Sequence, residues 1–261
     1  MKLRSLLTWR PCIIKSIKSG IGSLATACGL VAYAGALLVA VAPVAYLILE
    51  HRVSVGWVVL GAVAWGMGVG IKMSSWFYLQ EQLKRLSSWN AIVAAGLSGL
   101  WSGVTELSAA AGLLLLYSPK SLLEIVAFGI GAGSIEILFL LFVDLSNSSS
   151  RSQRLEDLKG RPFGALHPLW FVLERGYAMV FHIATRALTY LSLSQADLLP
   201  GLVGLAGFTL LDGAAYYGDE LQQWDWFDHH VIGLFHVFGL AVTATTVLAW
   251  WALWFLKGYS I

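Results

Sequence analysis

The chain has 261 residues, of which 57% are hydrophobic and only 12% are charged. A water-soluble domain carries roughly twice that charged fraction, so the composition excludes a soluble globular protein. The net charge is +2, and the basic residues fall between apolar stretches, which gives no basis for nucleic-acid binding. The two cysteines, Cys12 and Cys28, predict neither a disulfide framework nor a metal site, and no cofactor is expected.

The first 20 residues combine five Lys/Arg with leucines and isoleucines at helical spacing. This pattern predicts an amphipathic segment that lies at the membrane interface and is broken near Pro11. The uncharged stretch that follows, 21–49, is far longer than the roughly 7–15-residue apolar core of a secretory signal. We therefore expect it to be a retained first transmembrane helix. Residues 21–261 are predicted to form a single transmembrane domain.

Seven stretches are long and apolar enough to cross a membrane, which takes about 20 residues in a helix. They are 21–49, 53–79, 91–117, 122–143, 168–193, 198–217 and 231–256. The third and fourth are separated by a few residues around Pro119 and are predicted to form a tight helical hairpin. One long polar connection runs from Asp144 to His167. The sequence predicts an all-α, polytopic membrane bundle of about seven transmembrane helices.

The distribution of Lys and Arg between the connections predicts the orientation. One set of connections holds the five basic residues of the N-terminus, Lys84, Arg85 and four more in the long polar link. The other set holds Arg52, Lys120 and Lys257. The N-terminus is therefore predicted to be cytoplasmic and the C-terminus external. The expected location is the plasma membrane of a bacterium, that is, the cell inner membrane.

Several ionisable residues stand inside the predicted spans, where each charge costs at least about 2.5–3.5 kcal/mol. They are Glu106, Glu136, Glu174, Arg175, His182, Arg186 and Asp212. At 100° per residue, Arg175, His182 and Arg186 fall within about 40° of one another on one helix face. We expect a buried polar cluster in which Arg175 or Arg186 pairs with Glu136 or Glu106.

Two interpretations of this cluster are open. A buried glutamate and histidine can activate a water for hydrolysis or relay protons. Alternatively, the charges form structural ion pairs that determine which helix packs against which. His236, early in the seventh span, is interpreted as a structural histidine.

Two smaller patterns favour structural explanations. Gly129, Gly131 and Gly133 lie inside a predicted span without a preceding strand, so they predict close helix contact rather than a nucleotide loop, as do Gly66 and Gly70. A solvated turn anchored by tryptophans, rather than a metal site, is expected for Asp225, Asp228, His229 and His230.

Three motifs carry a resemblance to a known family. They are Gly103–Ala110 (GVTELSAA), Gly129–Glu136 (GIGAGSIE) and Glu174–His182 (ERGYAMVFH). Their order resembles that of the YhfC-type intramembrane endopeptidases, which are related to the CAAX-processing and PrsW-type glutamic membrane proteases. The family pattern is a Gly-x-x-Glu-Glu-x-x-Arg helix, a Gly-x-Gly-His-Gly-Gly-x-Glu helix, and a Glu-Arg helix with a histidine seven residues after the arginine.

The resemblance implies a metal-independent intramembrane endopeptidase. In it Glu106 takes the place of the water-activating glutamate, with His182 as its partner. The remaining matches are at Glu136, Glu174 and Arg175. Among the glutamates, arginines and histidines of the family pattern, three are replaced: Leu107 stands in place of the second glutamate, Ala110 in place of the arginine and Ala132 in place of the histidine.

These replacements predict weak or absent hydrolysis, and hence a divergent relative of the glutamic intramembrane proteases or a pseudoenzyme. The alternative is a non-catalytic membrane subunit or scaffold of a larger membrane assembly. A proton-coupled transporter is less favoured, since no internal repeat is evident. The expected partners are the lipid bilayer and either other membrane proteins or a transmembrane peptide substrate, without nucleic acid, cofactor or metal.

Overall fold

A computed structural model describes residues 20–146 and 167–256, which form helices without any strand. The helices are α1 (Gly20–Leu49), α2 (Val55–Ser87), α3 (Ala91–Tyr117), α4 (Leu122–Ser146), α5 (His167–Gln195), α6 (Leu198–Tyr216) and α7 (His229–Leu256), with a short π-helix (Tyr217–Leu221) continuing α6. Six of these helices are long and apolar enough to cross a membrane. The predicted all-α membrane bundle is confirmed, and the chain is an integral membrane protein.

The one long helix outside these six is α5, which is the least apolar of the seven. It lies at the centre of the bundle. It packs against α1, α3, α4, α6 and α7, while α2 packs between α3 and α4. With 29 residues it is roughly 43 Å long, more than the ~30 Å of a hydrocarbon core. Because its charges are enclosed by apolar helices, α5 has the length and the surroundings of a further span.

The outer faces of the surrounding helices carry large apolar side chains. Exposed examples on four different helices are Leu38, Val59, Leu116 and Leu234. In a soluble protein such a surface would be an association or aggregation site. Around a membrane bundle it is the surface that contacts lipid.

Several helix boundaries differ from the prediction. Helix α2 continues past residue 79 to Ser87, and its exposed end carries an ion pair between Arg85 and Glu81 one turn apart. Helix α4 continues through Ser146, so Asp144 belongs to a helix rather than to the polar link. Asp144 is buried and accepts a hydrogen bond from the Tyr33 hydroxyl on α1. The predicted interfacial segment and most of the polar link lie outside the described residues.

The predicted tight hairpin between α3 and α4 is wrong. The two helices are joined by residues 118–121 alone, yet they do not pack side by side, because each packs along α2 instead. The reason is the distribution of small residues. At Gly131, the backbone of α4 contacts the backbone of α2. At Gly68, α2 contacts the backbone of α3 next to Glu106.

Close helix contact at the glycines of α4 is confirmed. A Cβ on Gly131 would run into the backbone of Val58 on α2, and one on Gly61 of α2 would run into the carbonyl of Phe128. Gly129 is similarly close to the backbone of Ile183 on α5.

Gly66 and Gly70, which were expected to act in the same way, do not. A Cβ at either position would meet no atom within 4 Å in the described structure. Both glycines therefore lie on a face of α2 away from its neighbours.

The turn before α7 is organised by Asp228. Its side chain accepts hydrogen bonds from the backbone N–H groups of His230 (2.8 Å) and Val231 (3.2 Å), and these donors lower the pKa of the carboxyl. Trp226 makes edge-to-face contacts with Trp224 and Phe235. Within the described residues, no three His, Cys, Asp or Glu side chains are arranged to hold a metal ion.

Candidate functional site: a buried ionic cluster

The predicted polar residues come from four helices and belong to three hydrogen-bonded groups. Glu106 is on α3, Glu136 on α4 and Asp212 on α6, while α5 contributes four side chains: Glu174, Arg175, His182 and Arg186. The central position of α5 lets it reach carboxylates on two different neighbours. The predicted interior polar cluster is therefore present.

The first group is centred on Glu136. Its carboxylate accepts hydrogen bonds from Arg175 Nη1 (2.6 Å) and from the indole Nε1 of Trp65 on α2 (3.2 Å). His182 Nε2 lies 2.6 Å from Glu136 Oε2 and donates to it, because a carboxylate can only accept. Arg175 also pairs with Glu174. Three helices, α2, α4 and α5, are joined at this one carboxylate.

The second group is the ion pair between Glu106 and Arg186, which joins α3 to α5. Arg186 Nη2 donates to Glu106 Oε2 at 3.0 Å, and the arginine side chain has 0% exposure. The guanidinium also lies 5.4 Å from the ring centroid of Phe208 on α6. Removing two charges from water is expensive, and a pair this deeply buried is retained only with close geometry.

Both arginines thus pair with the predicted carboxylates, Arg175 with Glu136 and Arg186 with Glu106, which confirms the expected pairing. The predicted partnership of Glu106 with His182 is not formed. Within the described chain Glu106 accepts its hydrogen bond from Arg186 alone, and His182 bonds to Glu136. The physical reason is that the rotation of α4 about its axis brings Glu136 to the histidine.

A third group, the Lys72–Asp212 site, consists of Lys72 on α2, Ser102 on α3 and Asp212 on α6. Lys72 Nζ lies 2.6 Å from the Ser102 hydroxyl and 3.2 Å from Asp212 Oδ2, and Ser102 donates to the same carboxylate oxygen. The sequence predicts Asp212 as a member of the cluster but does not predict Lys72 or Ser102. The available signal was a single lysine inside the apolar stretch 53–79.

The three groups are close enough to form one cluster. Ser102 and Glu106 are one turn apart on α3, and His182 and Arg186 are one turn apart on α5. Four carboxylates (Glu106, Glu136, Glu174 and Asp212) face three permanent cations (Lys72, Arg175 and Arg186) and one histidine (His182). The charges nearly cancel, as is required in a medium that cannot solvate them.

Position 132, where the family pattern of the resemblance has a histidine, is closely packed in this chain. Ala132 is fully buried where α4 crosses α2, and its backbone N would lie 3.1 Å from a Cβ on Gly61. Because Ala132 is fully buried, a histidine side chain at this position would require its neighbours to move.

His236 has the surroundings of a structural residue, as predicted. Its ring stacks on Trp170 with a centroid separation of 4.9 Å, and its Nδ1 lies 3.1 Å from the Tyr177 hydroxyl. These contacts join the N-terminal part of α5 to α7.

Comparisons with known proteins give no match: no family model, no curated protein and no solved structure is similar to this chain.

Proposed function

We propose that this protein is a non-catalytic relative of the glutamic intramembrane proteases, which acts as a subunit that holds a partner inside the membrane. The family relation is supported by the three motifs, which lie on α3, α4 and α5. The observation that carries the non-catalytic part is the buried ion pair between Glu106 and Arg186.

A hydrolytic glutamate has to deprotonate a water and needs nearby donors for the oxyanion. Here one oxygen of Glu106 is held by Arg186, and the histidine that could share the proton is bonded to Glu136. Next to Glu106, the apolar Leu107 replaces a family glutamate. The arrangement favours a fixed anion that stabilises helix packing over a base that must gain and lose a proton in each turnover.

A second candidate is hydrolysis by Glu136 with His182. The observation in its favour is a glutamate–histidine hydrogen bond of 2.6 Å in which Glu136 keeps 21% of its side chain exposed. Against it, three donors already occupy the carboxylate: His182, Arg175 and Trp65. A water would have to compete with two charge-assisted hydrogen bonds, which are the stronger kind.

We further propose that the N-terminus is cytoplasmic in a bacterial plasma membrane. The support is the excess of Lys and Arg in the connections on the N-terminal side of the bundle.

The function is tested by incubating the purified protein in liposomes with a library of membrane-spanning peptides. We expect no cleavage by the wild type, and none by Ala132→His, because the closed crossing of α2 and α4 leaves no place for the ring. Variants Glu106→Gln and Glu136→Gln are compared with Glu81→Gln, a change at an exposed glutamate. Wild-type cleavage that is lost in Glu106→Gln and kept in Glu81→Gln would overturn the proposal. Cleavage lost only in Glu136→Gln would establish the second candidate.

A further inference from the structure

We propose that the Lys72–Asp212 site binds the carboxamide group of a membrane-embedded ligand, and that this ligand is the partner of the proposed function. This inference rests on the proposed function, because it assumes that a partner is bound and adds the chemical group by which that partner is recognised. Lys72 and Asp212 lie outside the three motifs that carry the family resemblance, and they are not needed for the pairing of Glu106 or Glu136.

The site faces the inside of the bundle. Ser102 is fully buried and shares its face of α3 with Glu106. The opposite face of α3 carries Leu97 and Val104, which are exposed. Since Lys72 and Asp212 both reach Ser102, they meet on the interior side of α3 and not on the lipid side.

The two charged side chains nevertheless remain partly accessible. Lys72 is 23% exposed and Asp212 is 35% exposed, whereas Arg175 and Arg186 are almost completely buried. A charged group in a membrane protein must face a polar partner or a water-filled space. Lys72 and Asp212 therefore keep polar surface beyond their mutual contact, at the place where α2 and α6 both reach Ser102 of α3.

A count of donors and acceptors identifies what the Lys72–Asp212 site offers to a ligand. Asp212 accepts both of its hydrogen bonds on Oδ2, so Oδ1 has no donor within the described chain. An ammonium group has three N–H donors, and Lys72 uses two of them, toward Ser102 and Asp212. One carboxylate oxygen of Asp212 and one ammonium N–H of Lys72 therefore remain for a ligand, on two side chains whose charged groups are 3.2 Å apart.

This combination suits a neutral group that has an acceptor and a donor on neighbouring atoms. A carboxamide fits, because its C=O can accept from Lys72 while its N–H donates to Asp212. A free anion would be repelled by Asp212 and a free cation by Lys72. Inside a membrane the carboxamide can come from an asparagine or glutamine of a partner helix or from an amide-bearing lipid.

The test uses a 20-residue Leu/Ala transmembrane peptide with a central Asn, and the same peptide with Leu in its place. Binding to the full-length protein in lipid nanodiscs is measured by fluorescence energy transfer. We expect the Asn peptide to bind about five- to tenfold more tightly than the Leu peptide, a difference typical of one or two hydrogen bonds in a membrane. Equal affinities would overturn the proposal.

The variant Lys72→Met/Asp212→Leu removes both charges together, so neither is left unpaired. It should lose the preference for Asn and keep the affinity for the Leu peptide. The control Glu81→Leu/Arg85→Met removes an exposed ion pair and should keep the preference. A preference for Asn that persists without Lys72 and Asp212 would contradict the assignment.

A second measurement does not depend on the variant's folding. A photoactivatable leucine beside the central Asn should crosslink to wild-type α2 or α6, close to Lys72 or Asp212. Crosslinks confined to lipid-facing positions such as Leu38 would overturn the proposal.

Competition distinguishes the two sources of the amide. Displacement of the Asn peptide by oleamide, but not by methyl oleate, would extend the ligand class to amide lipids. Failure of both to compete would assign the site to a partner helix. Cleavage of the bound Asn peptide would refute the non-catalytic function but not the amide site. If the wild type binds both peptides equally and cleaves neither, only the amide site is refuted.

Discussion

The two central glutamates show how the surroundings of a residue, rather than its type, determine its role. Glu136 accepts from three donors on two helices, whereas Glu106 accepts from one arginine. The difference arises on α5, where His182 and Arg186 are one turn apart and point to different neighbours. Because His182 is bonded to Glu136, a fixed cation rather than a histidine lies against Glu106.

Breaking the pair of Glu106 and Arg186 should have a large effect on stability. Arg186→Met leaves a buried carboxylate unpaired and should lower the free energy of unfolding by about 3–5 kcal/mol. The double variant Glu106→Leu/Arg186→Met should recover most of this loss, since replacing both charges with apolar groups is close to neutral. The measurement is unfolding by denaturant titration in a fixed mixed micelle.

The exposed pair of Glu81 and Arg85 is the matched control, and Arg85→Met should change the stability by no more than about 0.5 kcal/mol. If the double variant is as unstable as Arg186→Met, the two charges do not act as a pair and the structural role of Glu106 is wrong.

The sequence predicts the members of the ionic cluster because charges inside long apolar stretches are conspicuous. It also predicts that arginines pair with carboxylates. It does not predict which histidine meets which glutamate, since that depends on the rotation of α3 and α4 about their axes. The sequence does not predict Lys72 as a member of the cluster, because a single lysine in a long span is also typical of the membrane boundary.

At the scale of the elements, helix positions were predictable and helix neighbours were not. Helix α3 spans the residues that hydropathy indicates, 91–117, because its ends coincide with polar residues. In a span that is apolar on every side, however, no amphipathic pattern identifies the inner face. Which helices pack together depends instead on which glycines lie against the backbone of another helix. Gly61 and Gly131 do so, whereas Gly66 and Gly70 do not.

This difference among glycines on one helix is testable. Gly61→Ala places a methyl group against the carbonyl of Phe128, which cannot move without shifting α4, and should destabilise the protein by about 1–3 kcal/mol. Gly66→Ala and Gly70→Ala meet no neighbour and should leave stability unchanged or raise it by up to about 1 kcal/mol, because alanine favours a helix. The midpoints of thermal unfolding in one detergent give the comparison.

An equal loss at Gly61 and Gly66 would show that the crossing of α2 and α4 is looser than the structure indicates. A loss at Gly66 alone would place the contact on the opposite face of α2.

At the scale of the whole molecule, the bundle is polar inside and apolar outside. The helix with the most charges, α5, is surrounded by helices whose outer residues suit lipid. Glycines 129 and 133 of α4 lie against Ile183 and Met179 of α5, so the two helices run antiparallel. Because it packs antiparallel along α4, α5 is expected to cross the membrane as well, as the sequence predicts for 168–193, although it is the least apolar of the seven helices.

The crossing of α5 is tested most directly by the accessibility of single cysteines in intact cells, with Cys12 and Cys28 changed to serine. Four exposed positions near helix ends are used: Ser88, Lys120, Gln195 and Gln222. If α5 crosses, Ser88→Cys and Gln222→Cys are protected from an impermeant maleimide on the cytoplasmic side, while Lys120→Cys and Gln195→Cys are labelled from outside. Protection of Gln195→Cys together with labelling of Gln222→Cys would mean that α5 does not span the membrane, and would contradict the account.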